Sequence, residues 1–145
     1  MSKSNTWETG LLSLVFNNTA FSGLGDATGL PATGTAGSLY FSLHTADPGE
    51  GGDQTTSEAA YTSYARVAVA RSGAGFTVTA NAVATAGDVA FPAGTGGSGT
   101  VTHFGIGTAS SGAGKLLYSG TITPNIVTGN GVTPSLTAGT VVTED

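Results

Sequence analysis

Apolar residues near the N-terminus recur at helical spacing. Trp7, Leu11, Leu14 and Val15 fall at i, i+4, i+7 and i+8, which places them on one stripe of a helix over residues 5–17. Asn5 stands at an N-cap position, and Glu8, three residues on, is spaced for a capping box. Gly10 weakens this helix by about 1 kcal/mol of propensity. The stripe either plugs a core or docks on a neighbouring subunit. Residues 22–37 have no period and read as a Gly/Thr/Ala-rich arm, so 1–37 is expected to be a helix plus arm and 38–145 a separate β-domain.

From residue 38 onward the period drops to two, the spacing of strands. Leu39 to Leu43 is a short apolar run. Ala65 to Arg71 alternates, as does Phe76 to Ala80, and Ala82 to Phe91 does so more weakly. Thr100 to Thr108 and Lys115 to Thr123 follow, the latter expected to stop at Pro124. Asn130-Gly131, between Ile126-Val127-Thr128 and Val132-Thr133, predicts a type I′ hairpin, and Thr140 to Thr143 a last strand. About eight short strands with regular turn signals predict an all-β fold, an antiparallel β-sandwich or jelly roll with a short N-terminal helix. The stretch Asp47 to Ser63 fits neither period and is expected to project as a loop.

Composition narrows the function classes. Of 145 residues 9% are charged and 39% hydrophobic, and mean hydropathy is +0.15, values of a chain that folds. Gly numbers 24 without a Gly-X-Y period, which excludes collagen. No apolar run approaches a bilayer's thickness, and the N-terminal residues do not read as a signal peptide, so no membrane role is expected. There is no Cys, hence no disulfide or thiolate chemistry. Four scattered basic residues and a net charge of −5 argue against nucleic acid as a partner.

Searches for catalytic patterns fail. No Ser has Gly at both −2 and +2, and no P-loop exists. Gly94-Thr-Gly96-Gly-Ser-Gly99 matches G-x-G-x-x-G, but a β-type run follows it instead of a helix, so it reads as a turn. His44 and His103 are expected to be hydrogen-bonded structural histidines rather than metal ligands or bases. The acidic residues Asp47, Glu50, Asp53 and Glu58 lack EF-hand order and read as a solvated loop. Neither a catalytic group, a metal nor a cofactor is expected. Arg66 and Arg71 flank one strand and are placed to pair with carboxylates, within the chain or across a subunit interface.

Several ordered segments resemble a known kind of protein. They are Ser42-Leu-His-Thr-Ala-Asp-Pro-Gly49, Glu58-Ala-Ala-Tyr61 through Val67, Thr102-His-Phe-Gly-Ile-Gly107, and Gly114-Lys-Leu-Leu-Tyr-Ser-Gly120. Over roughly residues 39–145 the chain resembles small virion structural proteins of tailed bacteriophages, a group often labelled tail fibre. That resemblance implies a non-enzymatic protein present in many virion copies and made in the bacterial host cytoplasm. Acidity favours a position away from packaged DNA, and the absence of heptads is a poor match to a fibre shaft. The favoured expectation is a capsid decoration (cement) protein on the outer shell, a dimer or trimer that binds the major capsid protein and stabilises the shell. The alternative is a tail-fibre or tail-tip component; a carbohydrate-binding role on the host surface would then rest on Tyr40, Tyr61, Tyr64 or Tyr118. The expected interface residues are Trp7, Leu11, Leu14 and Phe16 on the helix, Asp47, Glu50 and Asp53 in the acidic loop, and Arg66.

Overall fold

The computed structural model describes residues 2–24, 29 and 31–144. Among the described residues one helix, α1 (Asn5–Asn17), is followed by nine strands: β1 (Ser38–His44), β2 (Val67–Ala70), β3 (Phe76–Thr79), β4 (Ala82–Thr85), β5 (Val89–Ala90), β6 (Gly99–Gly107), β7 (Leu116–Thr128), β8 (Ser135–Leu136) and β9 (Val141–Thr143). They form three antiparallel sheets, of order β2-β1-β6-β7, β3-β4-β9 and β5-β8, so the protein is all-β with one short N-terminal helix, consistent with a sandwich. No helix among the described residues is long and apolar enough to cross a membrane. The chain divides into two compact units whose segments interleave in sequence.

The first unit takes Met1–Ser38, Ala70–Asp88 and Thr137–Asp145 and packs α1 on the β3-β4-β9 sheet. Ser4, in extended backbone, is the N-cap, and its hydroxyl accepts from the Trp7 N–H at 3.3 Å. The cap therefore stands one residue before the expected Asn5, and Glu8 falls a position too late to close a capping box. Ser4→Ala is expected to cost about 1 kcal/mol, read as a lower urea midpoint with unchanged slope. Asn18 ends the helix in the left-handed region (φ 52°), its N–H returning to the Ser13 carbonyl. The Asn18 side chain also clamps Thr33 by hydrogen bonds of 2.8–3.0 Å, which pins part of the arm. Residues 25–28 and 30 of the arm lie outside the described residues.

The buried face of α1 is Glu8, Leu12 and Phe16, not Trp7, Leu11, Leu14 and Val15. Apolar residues occupy more than half the circumference of this helix, so spacing alone offers two stripes. The Phe16 ring decides between them: it meets Phe76 of β3 edge-on at 5.0 Å. Arg71 meets no carboxylate among the described residues. It donates to the carbonyls of Val15 (2.7 Å) and Leu14 (2.6 Å), satisfying groups in the last turn of the helix.

The second unit takes Leu39–Val69 and Val89–Leu136. Its central strands β1 and β6 pair antiparallel, Phe41 opposite Ile106 and His44 opposite His103. Phe41, Leu43, Val101, Phe104 and Ile106 are buried, with the Phe41 and Phe104 rings stacked at 6.3 Å. Four consecutive buried residues from Phe41 to His44 mark a strand covered on both faces. Two local expectations change here. Pro124 does not stop β7, because β7 is an edge strand and the partner register jumps from Thr121 to Ile126 around the proline. Asn130-Gly131 does form a turn, with Val132 N–H bonded to the Gly129 carbonyl and Gly131 at φ +77°. Only the second central residue has positive φ, as in a type II turn, whose twist splays the flanking strands. The returning segment therefore bonds to Gly94 instead of closing a hairpin.

Candidate functional site

The sequence-predicted interface residues separate into two groups, one in each unit. In the first unit, Phe16 is fully buried and belongs to the core. Leu11 and Leu14 are half-buried. Trp7 is 38% exposed, its ring 5.7 Å from that of Phe21. Beside this pair runs an open groove of ≈ 520 Å³ along the first half of α1, walled by Phe21.

In the second unit, residues 45–63 do not project: they fold back on the sheet. Thr45 N–H donates to the Ser57 carbonyl and Ala59 N–H to the Leu43 carbonyl, both at 2.8 Å. Gln54 is fully buried. Its main-chain N–H donates to Ala113, its side-chain amide to Tyr40, and its side-chain oxygen accepts from Ala109. No apolar or polar period announces that anchor. Asp53 caps the turn that presents Gln54, accepting from Thr55 N–H (2.8 Å) and the Thr55 hydroxyl (2.6 Å); these bonds hold its carboxyl below the usual value. Asp47 and Glu50 are exposed and line a ≈ 280 Å³ concavity with residues 116–119 of β7.

Arg66 is committed within the chain. Its side chain is 2% exposed; Nε and Nη2 donate to the two Glu58 oxygens at 2.6 and 2.8 Å, and Nη1 and Nη2 to the carbonyls of Ala109 and Gly112. Glu58, hydrogen-bonded to the guanidinium, strengthens its hold on its proton. Tyr64 completes the cluster. Its hydroxyl donates to Glu58 at 2.9 Å and accepts from Leu43 N–H, and burial raises its pKa so that it stays protonated.

One pair resembles catalytic machinery. Ser42 Oγ lies 2.8 Å from His44 Nε2, and His44 Nδ1 lies 2.8 Å from the Thr56 carbonyl. A carbonyl only accepts, so Nδ1 carries the proton and Nε2 accepts from the serine. Both residues are 0% exposed, leaving a substrate no approach. Gly105 makes room for them: a Cβ there would stand 2.7 Å from His44 Nε2 and Ser42 Oγ. Burial lowers the His44 pKa from 6.5, outweighing the Thr56 bond and Glu58. The unfolded chain therefore binds the extra proton first. Stability is full above about pH 6.5, falls as pH drops from there to the lowered folded value, and levels off below it. Urea midpoints taken from about pH 7.5 to 5 should show this decline, and His44→Gln should show less of it. Equal slopes in both proteins would contradict the assignment. Among the described residues no group of three or more His, Asp or Glu is arranged to hold a metal.

No curated protein matches the chain. A family model does, from residue 2 to residue 144, across both units. The chain belongs to the family described as podophage GP4 fiber I protein gp80, a bacteriophage structural family named for a fibre.

Proposed function

We propose that this protein is a non-enzymatic structural subunit of a phage virion and, within the virion, part of a tail fibre or tail tip. The observation that carries the reading is the match to a fibre family over residues 2–144, which covers both units. Decoration of the capsid, the expectation built on the virion-protein resemblance, acidity and the absence of heptads, has less support than the fibre. The closed Ser42–His44 pair and the internally saturated Arg66 favour a role in holding structure over a role in chemistry. Copies of the same chain are the proposed partners, with β7 as the contact edge: it is the outer strand of its sheet and carries Val127, 67% exposed.

Location and copy number test this. Purified virions carrying an epitope-tagged copy are labelled with gold-conjugated antibody and imaged, and the chain is counted against the major capsid protein by quantitative mass spectrometry. Label confined to the tail region, with a few to some tens of copies, supports the fibre. Label over the whole shell at hundreds of copies overturns it in favour of decoration.

A further inference from the structure

We propose that the groove beside the first half of α1 binds a neutral saccharide. This goes beyond the fibre reading and does not depend on it. The side chains lining the groove carry no charge; Asn5, Thr6, Thr9, Ser13 and Ser22 supply hydroxyl and amide groups, and Phe21 forms an apolar wall. At ≈ 520 Å³ it falls in the range of small-molecule sites. Thr9 is held by its bond to the Ala80 carbonyl at 2.8 Å. The side chains of Asn5, Thr6, Ser13 and Ser22 make no hydrogen bond among the described residues and are available to a ligand. The aromatic wall is built in. A Cβ at Gly10 would stand 2.6 Å from the Phe21 ring, so glycine lets that ring close on the helix, and Phe21 in turn packs against the exposed Trp7.

Those three features match one ligand class. A sugar ring offers an apolar C–H face to an aromatic surface and a rim of hydroxyls that both donate and accept, as do the serines and threonines here. Anionic or cationic ligands find no opposite charge in the groove to offset their desolvation. An open groove binds each sugar weakly, and many copies acting together compensate.

Trp7 is the chain's single tryptophan and its ring lies 5.7 Å from that of Phe21, the groove's wall, so tryptophan emission reports on that contact. The full chain is titrated with maltohexaose, cellohexaose, chitohexaose and mannan oligosaccharides, with oligogalacturonate and a lysine-rich peptide as charged comparators. At least one neutral oligosaccharide should shift the emission saturably, with Kd on the order of 1 mM. By calorimetry, Trp7→Ala should weaken that binding about tenfold or more. Thr6→Arg, at an exposed position in the groove, should do the same while leaving circular dichroism and the unfolding midpoint unchanged. The proposal is overturned if no neutral oligosaccharide binds, if a charged comparator binds more tightly, or if both folded variants bind as the parent does.

Discussion

Replacing Arg66 by alanine is expected to cost about 3–5 kcal/mol, the usual result of removing one partner from a buried ion pair. The side chain is 2% exposed and every donating nitrogen is used, two on Glu58 and two contacts on the carbonyls of Ala109 and Gly112. Truncation leaves those two carbonyls without the guanidinium and Glu58 with the Tyr64 hydroxyl as its remaining side-chain donor among the described residues. The 45–63 segment loosens as a consequence, because Glu58 pairs with His44 in an isolated bridge beside the Ala59–Leu43 bond. Hydrogen exchange at the amides of Thr45 and Ala59 should therefore accelerate along with the loss measured in urea. Removing both charges, as Glu58→Leu with Arg66→Met, should recover much of the loss, since an apolar pair of similar volume leaves no orphaned charge. The pair should also resist salt, because so little of Arg66 meets solvent. A loss below about 1 kcal/mol would mark the pair as an ordinary surface bridge and refute the anchoring role.

The sequence made some of this architecture legible and hid the rest for identifiable reasons. Two-residue alternation is a property of one strand and its two faces, so β1, β2, β3 and β6 stand close to where the pattern puts them. Alternation says nothing about which strands pair. Ala82 to Phe91 therefore reads as one strand, whereas β4 and β5 join different sheets in different units on either side of Asp88. The helix is legible, but its inward face is set by the Phe16–Phe76 contact, a pairing across sixty residues that no local spacing encodes. Arg66 was recognisable as half of an ion pair because guanidinium and carboxylate are strongly matched in geometry. Whether the carboxylate lay in the same chain was not. Gln54 was invisible: an amide in an acidic, periodless stretch looks solvated until the backbone groups it satisfies are known. The groove beside Trp7 is not legible in the sequence: the stripe that holds Trp7 reads as a core plug or a subunit contact, and nothing local announces that Phe21 closes on Gly10.

Gly107→Ala is expected to destabilise by about 3 kcal/mol or more, although the backbone there needs no glycine for its φ. The requirement is space. A Cβ at Gly107 would lie 2.5 Å from both the Lys115 carbonyl oxygen and Gln54 Oε1, and closer still to Gln54 Cδ. Gln54 is fully buried and hemmed in from a second side by Gly114, where a Cβ would again meet its amide oxygen. The amide cannot swing aside without surrendering its bonds to Ala109 N–H and the Tyr40 carbonyl. Each buried group left unpaired costs about 1–3 kcal/mol, and the crowding adds a term of similar size. Gln54→Ala relieves the crowding while abolishing the same bonds. In combination the two substitutions should therefore cost clearly less than the sum of the singles, with the residual set by the Lys115 carbonyl, which is backbone and does not yield. A double-mutant cycle in urea measures that difference. Simple additivity would show that Gly107 does not exist to seat Gln54, and the fold-back of the 45–63 segment would need another cause. A coupling of 1 kcal/mol or more, on the order found for residues in contact, ties the acidic loop's position to one glycine on β6.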